Sequence, residues 1–529
     1  MRKGVKILLI VLAVLLALGI AVFIGADVWV SRYVKKHVDK ALAELPFGEA
    51  SCGEIQIRLF SGTAGVSDLA FSYPPNLEVH VDHVELGRFF YSTLLAHQIS
   101  VTDIRITHPA ATIVYDSKHP DDFFPEIDDR GLDRIGDFLV SAELFRLKID
   151  NACLFLRDKS TNMEIAIDSA DVHLHDLSYN WQDSTFRYND SVYDISVDAF
   201  RFFDPKEPMR FEAHDICLRN QNGLTTGALQ FKHACDKRKL AAHKHEPATW
   251  IDLKANSLRT SPFNLFRKAL AKDLSLDSIT VDIKDMDIFR DSRIAPRKPF
   301  PMPQTVLLKQ PVDVSVKHVS ARVQKLDIEY ASTDVAKGEM HLRNIRAAVE
   351  NANNHKGNTI RIHGNCPIDK GRAEADMRLT LNRACDWSVK LHVTDVNTNY
   401  LNSFTRPLVG ITCDCHVDDL TANYTGNSVK ADGTFRMLYH GLNVKVHKDD
   451  NIPYQIISKN ADSFTTLGNT LIPKSNPTSV DIRPRAYEVE WRRDEWKPFP
   501  LFLFGPCIDG AKKTMLPGLY VHKQVKAKK

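Results

Sequence analysis

For some 400 residues after Pro46 the apolar positions recur with period two, the spacing of a strand with one buried face. The count slips at intervals. In IAIDSADVHL (165–174), Ile165 and Ile167 alternate, Asp168 and Ser169 intervene, and alternation resumes on the other parity at Ala170, Val172 and Leu174. Written φ-x-φ-x-x-φ-x-φ, with φ apolar, the same slip fits twelve places. They are Ala64/Val66/Leu69/Phe71, Val79/Val81/Val84/Leu86, Ile99/Val101/Ile104/Ile106, Leu147/Ile149/Ala152/Leu154, Ile165/Ile167/Ala170/Val172 and Ile195/Val197/Phe200/Phe202. Phe211/Ala213/Ile216/Leu218 and Leu274/Leu276/Ile279/Val281 follow. Looser fits are Val314/Val316/Val319/Ala321, Met340/Leu342/Ile345/Ala347, Leu391/Val393/Val396/Thr398 and Cys415/Val417/Leu420/Ala422.

Ten of the twelve central dipeptides contain aspartate, which is a poor strand residue, so its recurrence there needs a cause. A β-bulge supplies one: two residues oppose one, the count advances, and all four φ residues stay on one face. The short carboxylate can also accept a backbone N–H freed by the broken ladder. A two-residue hairpin turn at each slip is the alternative. It calls for Asn-Gly or Asp-Gly, which none of the twelve has. Bulges are predicted at Asp82, Asp103, Asp150, Asp168, Asp198, Asp215, Asp277, Asp395 and Asp418. Repeated bulges bend strands, so the expected fold is mainly β: a long, curled antiparallel sheet forming an elongated groove, with few short helices. RFFYSTLLAHQ (88–98), DRGLDRIGDFLV and SPFNLFRKALAK are the helix candidates, and 116–129, 235–248, the proline-rich 290–311 and 350–358 are loops.

The N-terminus sets the context. MRKGVK precedes twenty uncharged residues, Ile7 to Ala26, long enough as a helix to span a bilayer core of about 30 Å. No convincing small-x-small cleavage site precedes Asp27, so an anchor is predicted rather than a signal peptide. Arg2, Lys3 and Lys6 on one side and Arg32, Lys35, Lys36 and Lys40 on the other leave its orientation open. The expected parts are 1–30 stub and anchor, 31–46 stalk helix, 47–218, 219–350 and 351–460 groove, and 461–529 an aromatic and basic tail. Trp491, Trp496, Phe499, Phe502 and Phe504 beside Arg492, Arg493, Lys497, Lys512 and Lys513 suit either a membrane interface or a cap on the sheet.

Composition excludes some classes. Net charge is +3 with no arginine-rich tail or basic stripe, so no nucleic-acid partner is expected. The nine cysteines are odd in number and irregularly spaced, and read as free thiols. CDCH (413–416) and HLHD (173–176) lack the spacing of a metal site, and HKHEP (243–247) reads as a loop cluster that could take up a metal only adventitiously. There is no G-x-S-x-G, H-E-x-x-H or G-x-x-x-x-G-K-[ST], so neither catalysis nor a cofactor is expected.

The anchor, the strand–helix–strand opening VDHVELGRFFYSTLLAHQISVTDIRITHPAATIVYD (81–116), SVKADGTFRMLYHGLNVKVHK (428–448) and the slip repeat together resemble the AsmA-like family of bacterial envelope proteins. The tail from Lys474 to Gly518 resembles versions from the Bacteroidetes lineage, while 220–340 matches only in alternation. The resemblance implies one inner-membrane helix with the bulk of the chain in the periplasm. It also implies a groove like those of bridge-like lipid transfer proteins, carrying phospholipid toward the outer membrane or supporting its biogenesis. The tail would then meet the outer membrane or an envelope protein. The residues that would line such a groove are Val79, Val81, Val84, Leu86, Ile99, Val101, Ile104, Ile106, Ile165, Ile167, Ala170, Val172, Ile195, Val197, Phe200 and Phe202. Ile216, Leu218, Leu276, Ile279, Val281, Val393, Val396, Val417 and Leu420 complete the set. Each buried CH₂ contributes about 0.8 kcal/mol, so a 16-carbon chain would gain on the order of 10 kcal/mol. The alternative is a scaffold for outer-membrane protein assembly whose sheet closes on a lipid-free core.

Overall fold

Period-two alternation produces strands almost throughout the computed structural model, which describes residues 26–40, 42–43, 48–59, 61–88, 90, 98–119, 141–180, 185–187, 192–263, 273–332, 337–448, 461–479, 482 and 484–515. The chain divides into two units, Met1–Gly227 and Ala228–Lys529. The expected boundary at 350/351 falls inside a strand of the second unit.

In the first unit the strands are β1 (Glu49–Ser51), β2 (Ile55–Arg58), β3 (Thr63–Tyr73), β4 (Leu77–Leu86), β5 (Gln98–Tyr115), β6 (Ser141–Asp158), β7 (Glu164–Asn180), β8 (Thr185–Arg187), β9 (Tyr193–Asp204), β10 (Met209–Arg219) and β11 (Gly223–Thr226). β1 and β2 both pair with β3, and β3 to β7 then pair in chain order. β8 and β9 both pair with β7, and β9, β10 and β11 close the sheet. The second unit is a plain succession of β12 (Leu229–His233), β13 (Ala248–Thr260), β14 (Asp273–Asp291), β15 (Asp313–Ala331), β16 (Lys337–Asn353), β17 (Thr359–Ile368), β18 (Gly371–Thr380), β19 (Trp387–Asn397), β20 (Ile411–Gly426), β21 (Lys430–Val446) and β22 (Ala486–Arg492).

The sheets are mixed, which corrects the antiparallel expectation. β5 runs parallel to β6, and β14 runs parallel to β15. Parallel neighbours need a crossover of a dozen residues or more, and the two long connections, 116–140 and 292–312, supply it. The second carries the proline-rich segment. Met302 and Gln304 near its middle are buried, and Gln304 donates to the carbonyls of Cys385 (3.1 Å) and Asp386 (3.3 Å), so this connection wraps the start of β19.

Among the described residues no helix is long and apolar enough to cross a membrane. The anchor expected at Ile7–Ala26 lies outside them except for Ala26, as do DRGLDRIGDFLV and most of the helices expected at 88–98 and 261–272. The stalk is helical over 26–40 and docks beside β2: the backbone N–H groups of Ile57 and Leu59 donate to Ser31 Oγ (2.8 Å) and Asp27 Oδ1 (2.9 Å).

The tail is ordered against the sheet of its own unit. Helix Ala461–Leu471 covers the end of β21, where Asn469 exchanges hydrogen bonds with both backbone groups of Val444 (2.9 and 2.8 Å), blunting an exposed ladder. β22 adds to β21, and helix Phe499–Met515 packs on both. That helix was not expected, because Pro506, Gly505 and Gly510 all lower helix propensity. Its packing overrides propensity. Phe502 is buried beside Trp387, with ring centroids 5.2 Å apart, and the Gly505 and Gly510 backbones press on the rings of Trp491 and Phe435.

Candidate functional site

The slip positions decide which side chains share a face. Between β3 and β4, Ser67 opposes His83 and Leu69 opposes Val81, so Asp68 and Asp82 are left facing one another with the register unbroken. The same matched omission pairs Asp82 with His108, Ser169 with Asp198, and Asp198 with Asp215. In the second unit it pairs Asp277 with Lys317, Lys317 with Asn351, Lys284 with Gln324, Gln324 with Asn344, and Asp395 with Asp418. The slip is therefore mostly a kink shared by neighbouring strands rather than the one-sided bulge expected at Asp82, Asp198, Asp215, Asp277 and Asp395. When both strands carry the extra residue at one level, the ladder realigns beyond it. Register shifts do occur around Asp150 on β6 and β7, around Asp418 on β20 and β21, and at Lys254–Ser257 on β13. Asp103 and Asp168 keep partners, Arg146 and Ala199, and the omissions fall on Thr102 and Ser169.

Many kink residues are left-handed: Asp68, His108, Asn151, Ser169, Asp176, Asp215, Asn344, Asn351 and Asp395 have φ between 48 and 56°. This conformation costs an L-residue roughly 1–2 kcal/mol, least for Asn and Asp. Polar contacts offset the cost. Asn151 N–H donates to Asp171 Oδ1 (2.8 Å), Ser169 Oγ–H donates to Asn151 Oδ1 (3.1 Å), and His108 Nδ1 lies 3.0 Å from Asp82. Ion pairs join Asp168 to Arg201 (2.7 Å), Asp150 to Arg105 (2.7 Å) and Asp277 to Lys317 (2.6 Å), and His416 Nε2 lies 3.0 Å from Asp395. Hence the aspartates serve cross-strand pairs more than freed backbone groups.

Because register survives most kinks, the apolar positions align into rows. One row crosses six strands of the first unit: Val84, Ile106, Ile149, Val172, Ile195 and Leu218, each directly opposite the next. A second runs Val79, Ala111, Leu154, Ile167, Phe200 and Ala213. A third carries Ile165 and Phe202, and others carry Leu86 with Ile104 and Val197 with Ile216. Directly opposed residues point to the same face. The second unit repeats this: Ile279, Val319, Val349, Ile362, Met377, Val389 and Tyr424 form one row, while Val281 and Leu276 pair with Ala321 and Val316.

The first unit's rows are neither core nor ordinary surface. Val79, Val81, Val84, Ile104, Ile106, Ile165, Ile167, Val172, Ile195, Val197, Phe200, Phe202 and Ile216 are all half-buried. Val101, Ala170 and Leu218 are buried, Leu86 is exposed, and the side chain of Ile99 lies outside the described residues. Among the described residues, strands β4–β10 pack chiefly against neighbouring strands. The segment around Phe90 also meets them: its backbone N–H donates to the Ser100 carbonyl (3.0 Å) and its ring centroid lies 6.4 Å from that of Phe145. In the second unit Leu276 is buried and Ile279 and Val281 are half-buried. Val393, Val396, Val417 and Leu420 line a cavity of about 630 Å³, bounded also by helices Asn402–Val409 and Phe499–Met515.

Single buried carboxylates tie off two strand ends. Asp158 accepts from Ser117 N–H (3.1 Å), Ser117 Oγ–H (2.7 Å), Ser160 N–H (3.0 Å) and Thr161 Oγ–H (2.5 Å). Burial pushes its pKa up, but the bonds from Thr161, Ser117 and Ser160 outweigh that and hold it well below the carboxylate range. Asp291 is tied in the same way by Arg293, with contacts of 2.9 and 2.7 Å. On the polar face, burial and the nearby Asp327, Glu329 and Asp252 raise Asp287 against the opposing pull of Lys237. Of the CDCH segment, Cys415 is buried and Thr398 Oγ donates to the Cys413 carbonyl (2.9 Å), so these residues brace β20.

No family model matches the chain, and no curated protein matches its sequence.

Proposed function

We propose that the chain is an AsmA-like, membrane-anchored periplasmic protein whose apolar sheet face binds or conducts the acyl chains of phospholipid, without catalysis. The observation that carries this reading is the set of registered apolar rows on β4–β10, which stay half-buried and have neighbouring strands as their chief contacts among the described residues. Exposed apolar areas beyond a few hundred Å² are rare on monomeric proteins and mark surfaces that bind apolar partners. Acyl chains fit such a strip, since each CH₂ withdrawn from water contributes about 0.8 kcal/mol and needs no directional partner. Head groups stay in water beside it.

The scaffold reading is favoured only at β19–β22, where helix Phe499–Met515 gives the sheet a packed core around Trp387, Tyr424, Phe435 and Tyr439. The test uses the full-length protein purified in detergent, with lipids extracted and weighed by mass spectrometry and a fluorescent fatty acid titrated in. Copurifying phospholipid and saturable probe binding are expected. Neither would be found if the sheet served only as a scaffold.

A further inference from the structure

We propose that the cavity under helix Phe499–Met515 is a discrete seat for one acyl chain carrying an anionic head group, with Lys512 as the charge that orients it. The proposal rests on the acyl-lipid reading above and narrows it to one place and one class of amphiphile. The cavity, about 630 Å³, lies within the range of small-molecule sites. Its floor is sheet, including Val396, Leu420 and Met437.

Its wall is helical, and the sequence leaves that wall unsealed. The face holding Gly505 and Gly510 is pressed onto Trp491 and Phe435, which fixes the helix rotation. Phe504, Ile508, Ala511 and Met515, spaced four, three and four residues apart, then form a second apolar stripe turned to the cavity. Phe504 stays 54% exposed and Ile508 45% exposed. A helix with both a seated apolar face and a bare one is suited to hold something against the sheet.

Charge selects the ligand class. Among the described residues, Lys512 is the single charged side chain lining the cavity, and no carboxylate lines it. Its neighbour Lys513 is engaged with Asp509 (2.7 Å) and the Glu488 carbonyl (3.0 Å). Lys512 is exposed, and no ion pair holds it among the described residues. Its methylenes can lie along the apolar wall while the ammonium stays in water at the mouth, where a carboxylate or phosphate would sit.

The test places a diazirine near the end of a 16-carbon fatty acid, irradiates it with the full-length protein and maps labelled peptides by mass spectrometry. Label is expected in peptides covering 393–420 and 504–515. Ile508→Trp and Ala511→Trp, two independent fillings of the cavity, should each remove it. Lys512→Glu should weaken labelling by about fivefold, the size of one exposed charge pair, and leave the matching diazirine fatty alcohol unchanged. Competition by unlabelled palmitate against lysophosphatidylglycerol separates a free fatty acid from a phospholipid as the source, and suppression by either anion supports the seat. Label confined to β4–β10 would overturn the seat while leaving the general reading intact. Label nowhere would overturn both. Equal labelling by acid and alcohol in wild type, unchanged by Lys512→Glu, would overturn the anionic preference.

Discussion

Strands β4–β10 and β19–β22 carry the same alternation and the same slips, yet their apolar faces end differently. On β19–β22 a helix lies over the face, and Trp387, Ala422, Tyr424, Phe435 and Tyr439 are each under 5% exposed. On β4–β10 the equivalent rows stay half-buried. The strand pattern therefore does not decide between core and binding surface. The covering helix does, and it is seated by two glycines that let its backbone approach two aromatic rings. One region is packed beneath a helix, and the other stays half-buried among the described residues.

Substituting the same residue type in both regions sharpens this contrast, and the largest expected effect comes from introducing charge. Val489→Asp, in the covered region, places a carboxylate in a packed core and should unfold the second unit, read as loss of its cooperative denaturant transition. Val172→Asp should leave circular dichroism and that transition nearly unchanged while abolishing fatty-acid binding by the first unit. If Val172→Asp unfolded the protein as Val489→Asp does, the two faces would be equivalent and the open-face reading would fail.

Truncation comes next. Phe435→Ala removes a side chain 1% exposed and should cost about 3–5 kcal/mol in urea melts. Phe200→Ala removes a half-buried ring and should cost about a third of that, because much of its surface is already wet. Equal costs would mean that β4–β10 are covered after all.

The kinks give smaller effects. Ser169 is left-handed (φ 50°), so Ser169→Val should destabilise the first unit by about 1–3 kcal/mol and Ser169→Gly should be close to neutral. Both are measurable by thermal denaturation. A one-sided bulge without the left-handed residue would tolerate valine.

Asp158 gives the smallest effect, and it depends on pH. Its folded-state pKa is lowered relative to an unfolded value of about 3.9, so its contribution is full above that pH and disappears as pH falls through the folded value. Hydrogen exchange at the Ser117 and Ser160 amides, taken relative to the intrinsic exchange rate at each pH, should accelerate below about pH 4 in the wild type. In Asp158→Asn it should already be fast at neutral pH and change less with acid.

Much of the sheet was legible because alternation with slips is a local signal. Left-handed residues or omitted pairs fall in the slip dipeptides at Asp68, Asn151, Ser169, Asp215, Asn344 and Asp395. The same spacing also occurs at Ala142/Leu144/Leu147/Ile149, Val172/Leu174/Leu177/Tyr179 and Val281/Ile283/Met286/Ile288, which are not among the twelve. In the first unit two of these sites make a second row of kinks, with Phe145 opposite Thr102 and Asp176 opposite Phe145. The kinks are shared because each strand's neighbour slips at the same level, and a strand read alone does not show its neighbour. The parallel pairs were hidden for a related reason: strand direction depends on where a long connection returns. At the cavity, Val393, Val396, Val417 and Leu420 were legible as apolar strand positions. The helix that walls it was not, because Pro506 and two glycines argue against a helix that only tertiary packing rescues.

Site-specific photo-crosslinking tests the central claim most directly. Benzoylphenylalanine is placed in the full-length protein at Val172 or Ile195, in the apolar row, and at His173 or Asp194, on the opposite face of the same strands. Adducts are read by mass spectrometry after irradiation in cells. The account predicts phospholipid adducts at Val172 and Ile195 and none at His173 or Asp194. Adducts absent from all four positions, or equally abundant on both faces, would contradict it.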